Sequence, residues 1–325
     1  MRWKTSLAAA GLLALVAPQA QALDDTPDAT RIVSDPLYLP TQGQFYGSSA
    51  YRWGSSKADD FDAAGAPDGF TQSTGNALDQ QFQYGLSDDL ALRLDWGYGW
   101  RSTSRHTPTD TLVRSASGWT DPTFGVTWRA IDQAAGGPLT LDLRADYAPD
   151  AFPAKNATID DEGTIARGGQ SVDLGATIGH ETRDFTIAAT FDANWLGTRK
   201  VELQNNGGFT SSDAQWNYRI GLDSQWRFGD VTSLNLGVGH TFTNNSTVFN
   251  SATGLTHIST GGDFTDLSAA LNYHFVPNTV VGSLGYQHNF YDDSRAVFPT
   301  SPANDTSARN KGEDFVGVTM RYVLN

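Results

Sequence analysis

Runs of roughly ten residues in which apolar and polar side chains alternate recur along most of the chain. In a strand, successive side chains point to opposite faces, so each run has one greasy face and one polar face. The clearest begins at Leu90. Leu90, Leu92, Leu94, Trp96, Tyr98 and Trp100 share one face, and Ala91, Arg93, Asp95, Gly97, Gly99 and Arg101 share the other. The same alternation covers residues 123–129, 139–147, 171–178, 185–195, 216–227, 233–242, 266–275, 283–290 and 316–324. Two weaker runs, 44–53 and 77–86, bring the count to about twelve. An even count returns both chain ends to the same side of a closed sheet.

The connections alternate too. Short turns are expected at residues 87–89, 132–137, 181–184, 229–232 and 276–279. Longer polar segments are expected at 54–76, 102–117, 149–169, 197–213, 243–262 and 291–313. Short periplasmic turns and long outer loops describe a transmembrane barrel. A soluble β-sandwich also alternates, but its strands are shorter and its connections seldom keep this rhythm. The fold class expected is all-β, a transmembrane up-and-down antiparallel barrel of about twelve strands. Aromatic rings would gather at its two interfaces: Trp100, Tyr147, Trp195, Trp216, Phe242 and Phe290 outside, and Phe185, Phe228, Phe275 and Tyr322 at the periplasmic edge.

The first residues explain how such a chain reaches an outer membrane. Arg2 and Lys4 precede an apolar stretch over residues 8–17, too short to span a bilayer as a helix, and Ala20-Gln21-Ala22 is a small-x-small cleavage pattern. Three regions follow: a signal peptide at 1–22, removed after Ala22; a periplasmic N-terminal segment at 23–42; and an outer-membrane β-barrel at 43–325. Prolines at 36 and 40 disfavour a regular helix in the second region. It could fold back into the lumen as a plug or hang in the periplasm, and the reading leans to the second.

Mean hydropathy is only −0.38, as expected when spans alternate. The chain has no cysteine, so neither a disulfide framework nor thiol chemistry is available. Its formal charge of −14 argues against a nucleic-acid partner.

If the apolar faces meet lipid, the polar faces converge on a lumen. Its expected selectivity residues are Arg93, Asp95, Arg129, Asp142, Arg144, Asp173, Asp192, Arg219, Asp223, Arg227 and Arg321. Charged side chains in a ring can select solutes. The same charges can also simply fill a small barrel with salt bridges, and twelve strands lie between the packed and the open sizes. Histidines 180, 240 and 288 fall on apolar faces and read as interfacial residues, and Asp160-Asp161-Glu162 as a solvated acidic run. No metal or cofactor is expected. His257-Ile258-Ser259 has the His-x-Ser spacing of some outer-membrane phospholipases, which are also twelve-stranded barrels. Thr260 stands where those have Asn, and the triplet falls in an expected loop, so no enzyme is inferred.

Two stretches carry a family resemblance. Residues 82–92, Phe-Gln-Tyr-Gly-Leu-Ser-Asp-Asp-Leu-Ala-Leu, resemble the aromatic-Gly-Leu-Ser/Thr-Asp hairpin of outer-membrane barrels linked to the meta-pathway of phenol degradation. Residues 118–129, with Asp121-Pro122, Gly125 and Arg129, are similar to that family's Gly-x-x-Asp-Pro strand. The resemblance implies a transporter-like protein for small solutes, with aromatic or other hydrophobic compounds as candidates, and brings no binding residues with it. The alternative function is a closed structural or adhesive barrel acting through its outer loops, with a lipid-modifying enzyme behind it. Expected partners are outer-membrane lipid, small solutes and, during insertion, the barrel-assembly machinery; the oligomeric state stays open.

Overall fold

The computed structural model describes residues 31–324 apart from 205, 206 and 277. The expected signal peptide, its cleavage site and residues 23–30 lie outside the described residues.

Eighteen strands form one continuous sheet. They are β1 (Phe45–Phe61), β2 (Pro67–Ser87), β3 (Leu90–His106), β4 (Thr111–Trp119), β5 (Thr123–Ile131), β6 (Thr140–Ala148), β7 (Ser171–Glu181), β8 (Phe185–Leu196), β9 (Arg199–Leu203), β10 (Gly208–Ser212), β11 (Gln215–Phe228), β12 (Thr232–Thr243), β13 (Ser246–Asn250), β14 (Leu255–Thr260), β15 (Phe264–Val276), β16 (Val280–Tyr291), β17 (Ser294–Val297) and β18 (Thr306–Leu324). Twelve staves make the barrel, because β4 and β5 together form one stave, while β9, β10, β13, β14 and β17 extend the sheet beyond the long-connection rim. The first and last strands close it, running antiparallel from Phe45 opposite Leu324 to Phe61 opposite Ser307. Closure leaves no stave with an unpaired edge, which a bilayer demands because it offers backbone groups no water.

The alternation settles which face looks where. Leu92, Trp128, Leu174, Phe191, Leu271, Leu284 and Val318 are all exposed on the outer wall. Arg129, Asp142, Asp146, Gln225, Ser233, Asp266 and Asn272, on the opposite parity, are buried. This is a soluble protein turned inside out, and it is the arrangement of an outer-membrane barrel. At the closing seam, Gly47 leaves the place of a side chain empty and the Tyr322 ring of β18 lies in it. Any Cβ there would collide with that ring.

Most expected interfacial rings are outward and exposed, among them Trp100, Tyr147, Trp216, Phe242, Phe290, Phe228 and Phe275. Phe185 departs from the expectation. Its ring packs 4.5 Å from that of Trp226 and is buried.

Two further expectations are corrected. Segments 54–76 and 102–117, expected as loops, are largely strand: β1, β2 and β3 run on past the apolar band, and β4 pairs with β3. Residues there are mostly small or polar on both faces, with only scattered Phe, Leu and Val, so no apolar period marks a ladder that backbone hydrogen bonds hold. Segment 149–169 remains mostly irregular. It fills the outer wall above the short strands β6 and β7: Gly163 bonds β4 through Ser115 and Ser117, and Gly168 and Ala154 bond β9 through Lys200 and Glu202.

The second correction concerns the N-terminal segment. Its described residues, 31–42, do not hang free but tuck into the short-turn end of the lumen. Val33, Ser34, Asp35, Leu37 and Leu39 are buried, Leu37 completely. The driving contacts are apolar at one side, where Val33 meets Tyr46, Val281 and Val323, and polar at the other.

Candidate functional site

The polar faces of the staves deliver most of their charges to two levels in the lumen, a short-turn end and a middle level, and the register decides who meets whom. At the short-turn end the network includes the N-terminal segment. The Asp35 carboxylate accepts from Arg227 (2.7 Å), the Thr186 hydroxyl (2.6 Å) and the Leu37 backbone N–H (2.8 Å). Arg129 pairs with Asp142 through two bonds of 2.8 Å and also donates to the Leu37 carbonyl. Arg31 joins Glu181 (2.9 Å) and Asp132 (2.5 Å), drawing two strand ends together. Next to them runs a neutral chain in which the Gln225 amide donates to Ser34 and Asn235, and the Asn272 amide to Asn235. Buried polar groups need this density of partners. Gly179 faces Leu37 so closely that a Cβ would stand 2.7 Å from its Cδ1.

The middle level is ionic and more accessible. Arg144 is shared by three carboxylates: Asp146 at 2.8 Å, and Asp173 and Asp192 at 2.9 Å each. Arg93 pairs with Asp95 (2.5 Å) and reaches Asp146 at 3.8 Å, while Arg219 pairs with Asp266 at 3.0 Å. Asp223 forms no ion pair among the described residues. The level thus holds six carboxylates and three guanidiniums. Glycines make the room: at Gly125, Gly175, Gly221, Gly237 and Gly239 an added Cβ would strike Asp146, Asp192, Thr190, Ser268 or Arg219.

Of the eleven residues expected in the lumen, the structure brings Arg93, Asp95, Arg144, Asp173 and Asp192 into one network and sets Arg219 and Asp223 beside it. Arg129, Asp142 and Arg227 lie instead against the N-terminal segment. Arg321 stands apart and donates to the Ser283 hydroxyl. Asp146 and Asp266, not singled out from sequence, complete the middle level. Their place on polar faces was the available signal. Glu181 continues the polar parity of β7, whereas Asp35, Arg31 and Asp132 carry no periodic signal.

The His-x-Ser triplet lies in strand β14, not in a loop, with Ser259 opposite Ser246 of β13. The His257 ring rests 4.9 Å from that of Phe298, and among the described residues it forms no ion pair with a carboxylate. Burial alone holds its imidazole below the ordinary range. Among the described residues no hydrogen bond or ion pair of the imidazole supplies the orienting group that an activated serine needs. The outward histidines sit as interfacial residues: His240 against Phe242, and His288 against Phe290 with its Nδ1 2.8 Å from Asp314.

No family model matches the chain, and no curated protein matches it in sequence. Solved structures do. The chain is similar to an outer membrane channel from Pseudomonas putida F1, at 17% identity and TM-score 0.54, over 88% of this chain and 97% of that one. It is equally similar to the transport unit of an autotransporter from Escherichia coli, at 10% identity and TM-score 0.55, over 88% of this chain and 92% of that one. At these identities the likeness is one of fold, and the two carry different roles on it.

Proposed function

We propose that this protein is an outer-membrane channel for small solutes, in which the Arg/Asp level selects and the N-terminal segment closes the short-turn end. The observation that carries the reading is the middle level itself. A barrel serving only as a scaffold would gain by filling its centre with large apolar side chains, whereas this one packs charged side chains against glycines and leaves Arg93, Arg144 and Arg219 partly exposed. The formal excess of carboxylates over guanidiniums favours cations and polar neutral solutes over anions. Arg93, Asp95, Arg144, Asp173, Asp192, Arg219 and Asp223 are the selectivity residues in this reading. Arg129, Asp142 and Arg227 act through the segment they hold. The resemblance of residues 82–129 to barrels linked to phenol degradation makes phenolic and other aromatic compounds the solutes to test first.

The experiment is planar-bilayer recording of the refolded chain lacking its signal peptide, beside a variant that also lacks residues 23–42. The reading expects discrete, cation-preferring steps that are larger or more frequent in the truncated variant. Silence from both, with folding shown by heat-modifiable gel migration, overturns it and favours the closed barrel acting through its outer loops.

A further inference from the structure

Beyond the aromatic girdle at the long-connection end, the outer wall gains charge. On β1, Tyr51 and Trp53 are exposed outward, and the register with β2 stays regular from Phe45 to Asp60, so Lys57 and Asp59 share their face. Phe61 follows on the same parity. Asp59 stands opposite Phe70 of β2 on one side and opposite Arg309 of β18 on the other, and Phe70 stands opposite His106 of β3. Cross-strand partners face the same side of a sheet, so one outward row runs Arg309, Asp59, Phe70, His106 across the seam where the first and last strands close the barrel.

In this patch the cations lie on rings. The Lys57 Nζ stands 4.8 Å from the centre of the Phe70 ring, and the Arg309 guanidinium 4.3 Å from that of Phe61. The Phe70 ring in turn stacks on His106 at 4.4 Å. Lys57 precedes Asp59 on β1, which makes it a diagonal neighbour of Arg309, with Cβ atoms about 7–8 Å apart. A ring face holds a cation through its quadrupole and leaves the N–H donors available to an acceptor. Exposed Gln72 lies opposite Lys57. The carboxylates nearby are each engaged: Asp59 accepts from the Asn310 amide at 3.0 Å, Asp68 from Arg105 at 2.8 Å and Asp314 from Tyr286 at 2.6 Å. Height completes the description. Trp53 shares a row with Trp100 of the girdle through Asn76. A tilted strand climbs ~2.5 Å per residue along the barrel axis, so Lys57 stands ~10 Å above that row, at the level of lipid headgroups.

We propose that this patch binds the phosphorylated sugar headgroup of an outer-leaflet glycolipid, with Lys57 and Arg309 meeting its phosphates and the Phe61 and Phe70 rings packing on its sugars. Cations at headgroup height are drawn to an anionic lipid surface, and guanidinium–phosphate bonds are charge-assisted. The rings decide between lipids. A phospholipid would use the two charges and leave the rings idle, whereas a sugar headgroup offers an apolar ring face beside each phosphate. Lipid held here bridges β18, β1 and β2 and so clamps the seam. The site lies on the outer wall and stands whether or not the barrel conducts.

The test is native mass spectrometry of the refolded chain without its signal peptide, in neutral detergent, counting bound lipid. The probes are purified deep-rough lipopolysaccharide, the same lipid after dephosphorylation, and phosphatidylglycerol. The variants are K57Q/R309Q, the charge-keeping K57R/R309K and the ring variant F61L/F70L, each checked for heat-modifiable migration. Lipopolysaccharide binding that falls roughly tenfold or more in K57Q/R309Q, recovers in part in K57R/R309K and falls likewise on dephosphorylation supports the site. F61L/F70L should weaken lipopolysaccharide and leave phosphatidylglycerol where it was. Equal lipopolysaccharide binding by the parent and K57Q/R309Q overturns the proposal. So does equal binding of phosphatidylglycerol and lipopolysaccharide by the parent, which would reduce the patch to a general attraction for anions. The single variants K57Q and R309Q carry the same comparison if the double variant does not migrate as folded.

Discussion

At the short-turn end, every arginine in the lumen except Arg321 has a carboxylate or sits among several acceptors, and the partners come from strands far apart in sequence as well as from the N-terminal segment. At the long-loop end, Arg52 and Arg105 have more exposed carboxylate partners, Arg101 and Arg199 form no ion pair among the described residues, and the wall is finished by an irregular segment. The first region is a packed polar interior and the second an exposed rim. The same residue type therefore has opposite meanings. A buried arginine with its acid is a structural rivet, whose removal strands a charge, whereas an accessible arginine without one is free to meet a ligand.

Breaking a rivet is expected to have the largest effect. Asp35→Ala leaves Arg227 without its carboxylate in a site where the Asp35 side chain is fully buried. Removing one partner of such a pair costs ~3–5 kcal/mol. Part of that loss appears as release of the segment rather than as unfolding. Single-channel open probability should rise sharply in D35A while the thermal transition falls, and an unchanged open probability would show that the segment does not close the path.

Crowding the segment without touching its charges is a milder perturbation. Gly179→Val would push into Leu37, where overpacking costs ~1–3 kcal/mol. Open probability should rise less than in D35A, and ion selectivity should not move, because the middle level is untouched.

Acid offers a third route. Burial opposes ionisation of Asp132, but the hydrogen bond and charge of Arg31 outweigh it and hold the Asp132 carboxyl below its ordinary 3.8. A group with a lowered folded pKa stabilises above the unfolded value and loses that contribution as pH falls through the folded one. Segment release should therefore grow as pH drops from about 3.8 downward. Open probability recorded between pH 6 and pH 3 checks this, and D132N should flatten that part of the profile.

The exposed rim should be nearly indifferent. Arg105→Ala removes exposed contacts to Asp60 and Asp68, worth at most ~1 kcal/mol. A thermal transition shifted by several degrees would mean that the two ends differ less than this comparison holds.

Much of the barrel was written in the chain. Alternation marked every membrane-crossing stave and assigned Arg93, Asp95, Arg144, Asp173, Asp192, Arg219 and Asp223 to the lumen, because a period of two leaves a side chain only two directions to face. Strand extensions such as 54–61 and 102–106 were invisible, since a ladder with water on both faces needs no apolar period. What meets across the lumen was not legible either. That Arg144 touches Asp192 and Arg219 touches Asp266, 48 and 47 positions away, depends on the stagger between staves and on closure, which no single strand encodes. The N-terminal segment is the sharpest case. Residues 31–42 are too irregular for any period to reveal their place, and Asp35 and Arg227 lie 192 positions apart. The sequence by itself determined a membrane barrel and the direction in which each stave's side chains point. Only the tertiary structure decided which charges are riveted, which are free and what fills the short-turn end, because closing a sheet brings together residues whose separation along the chain carries no local signal.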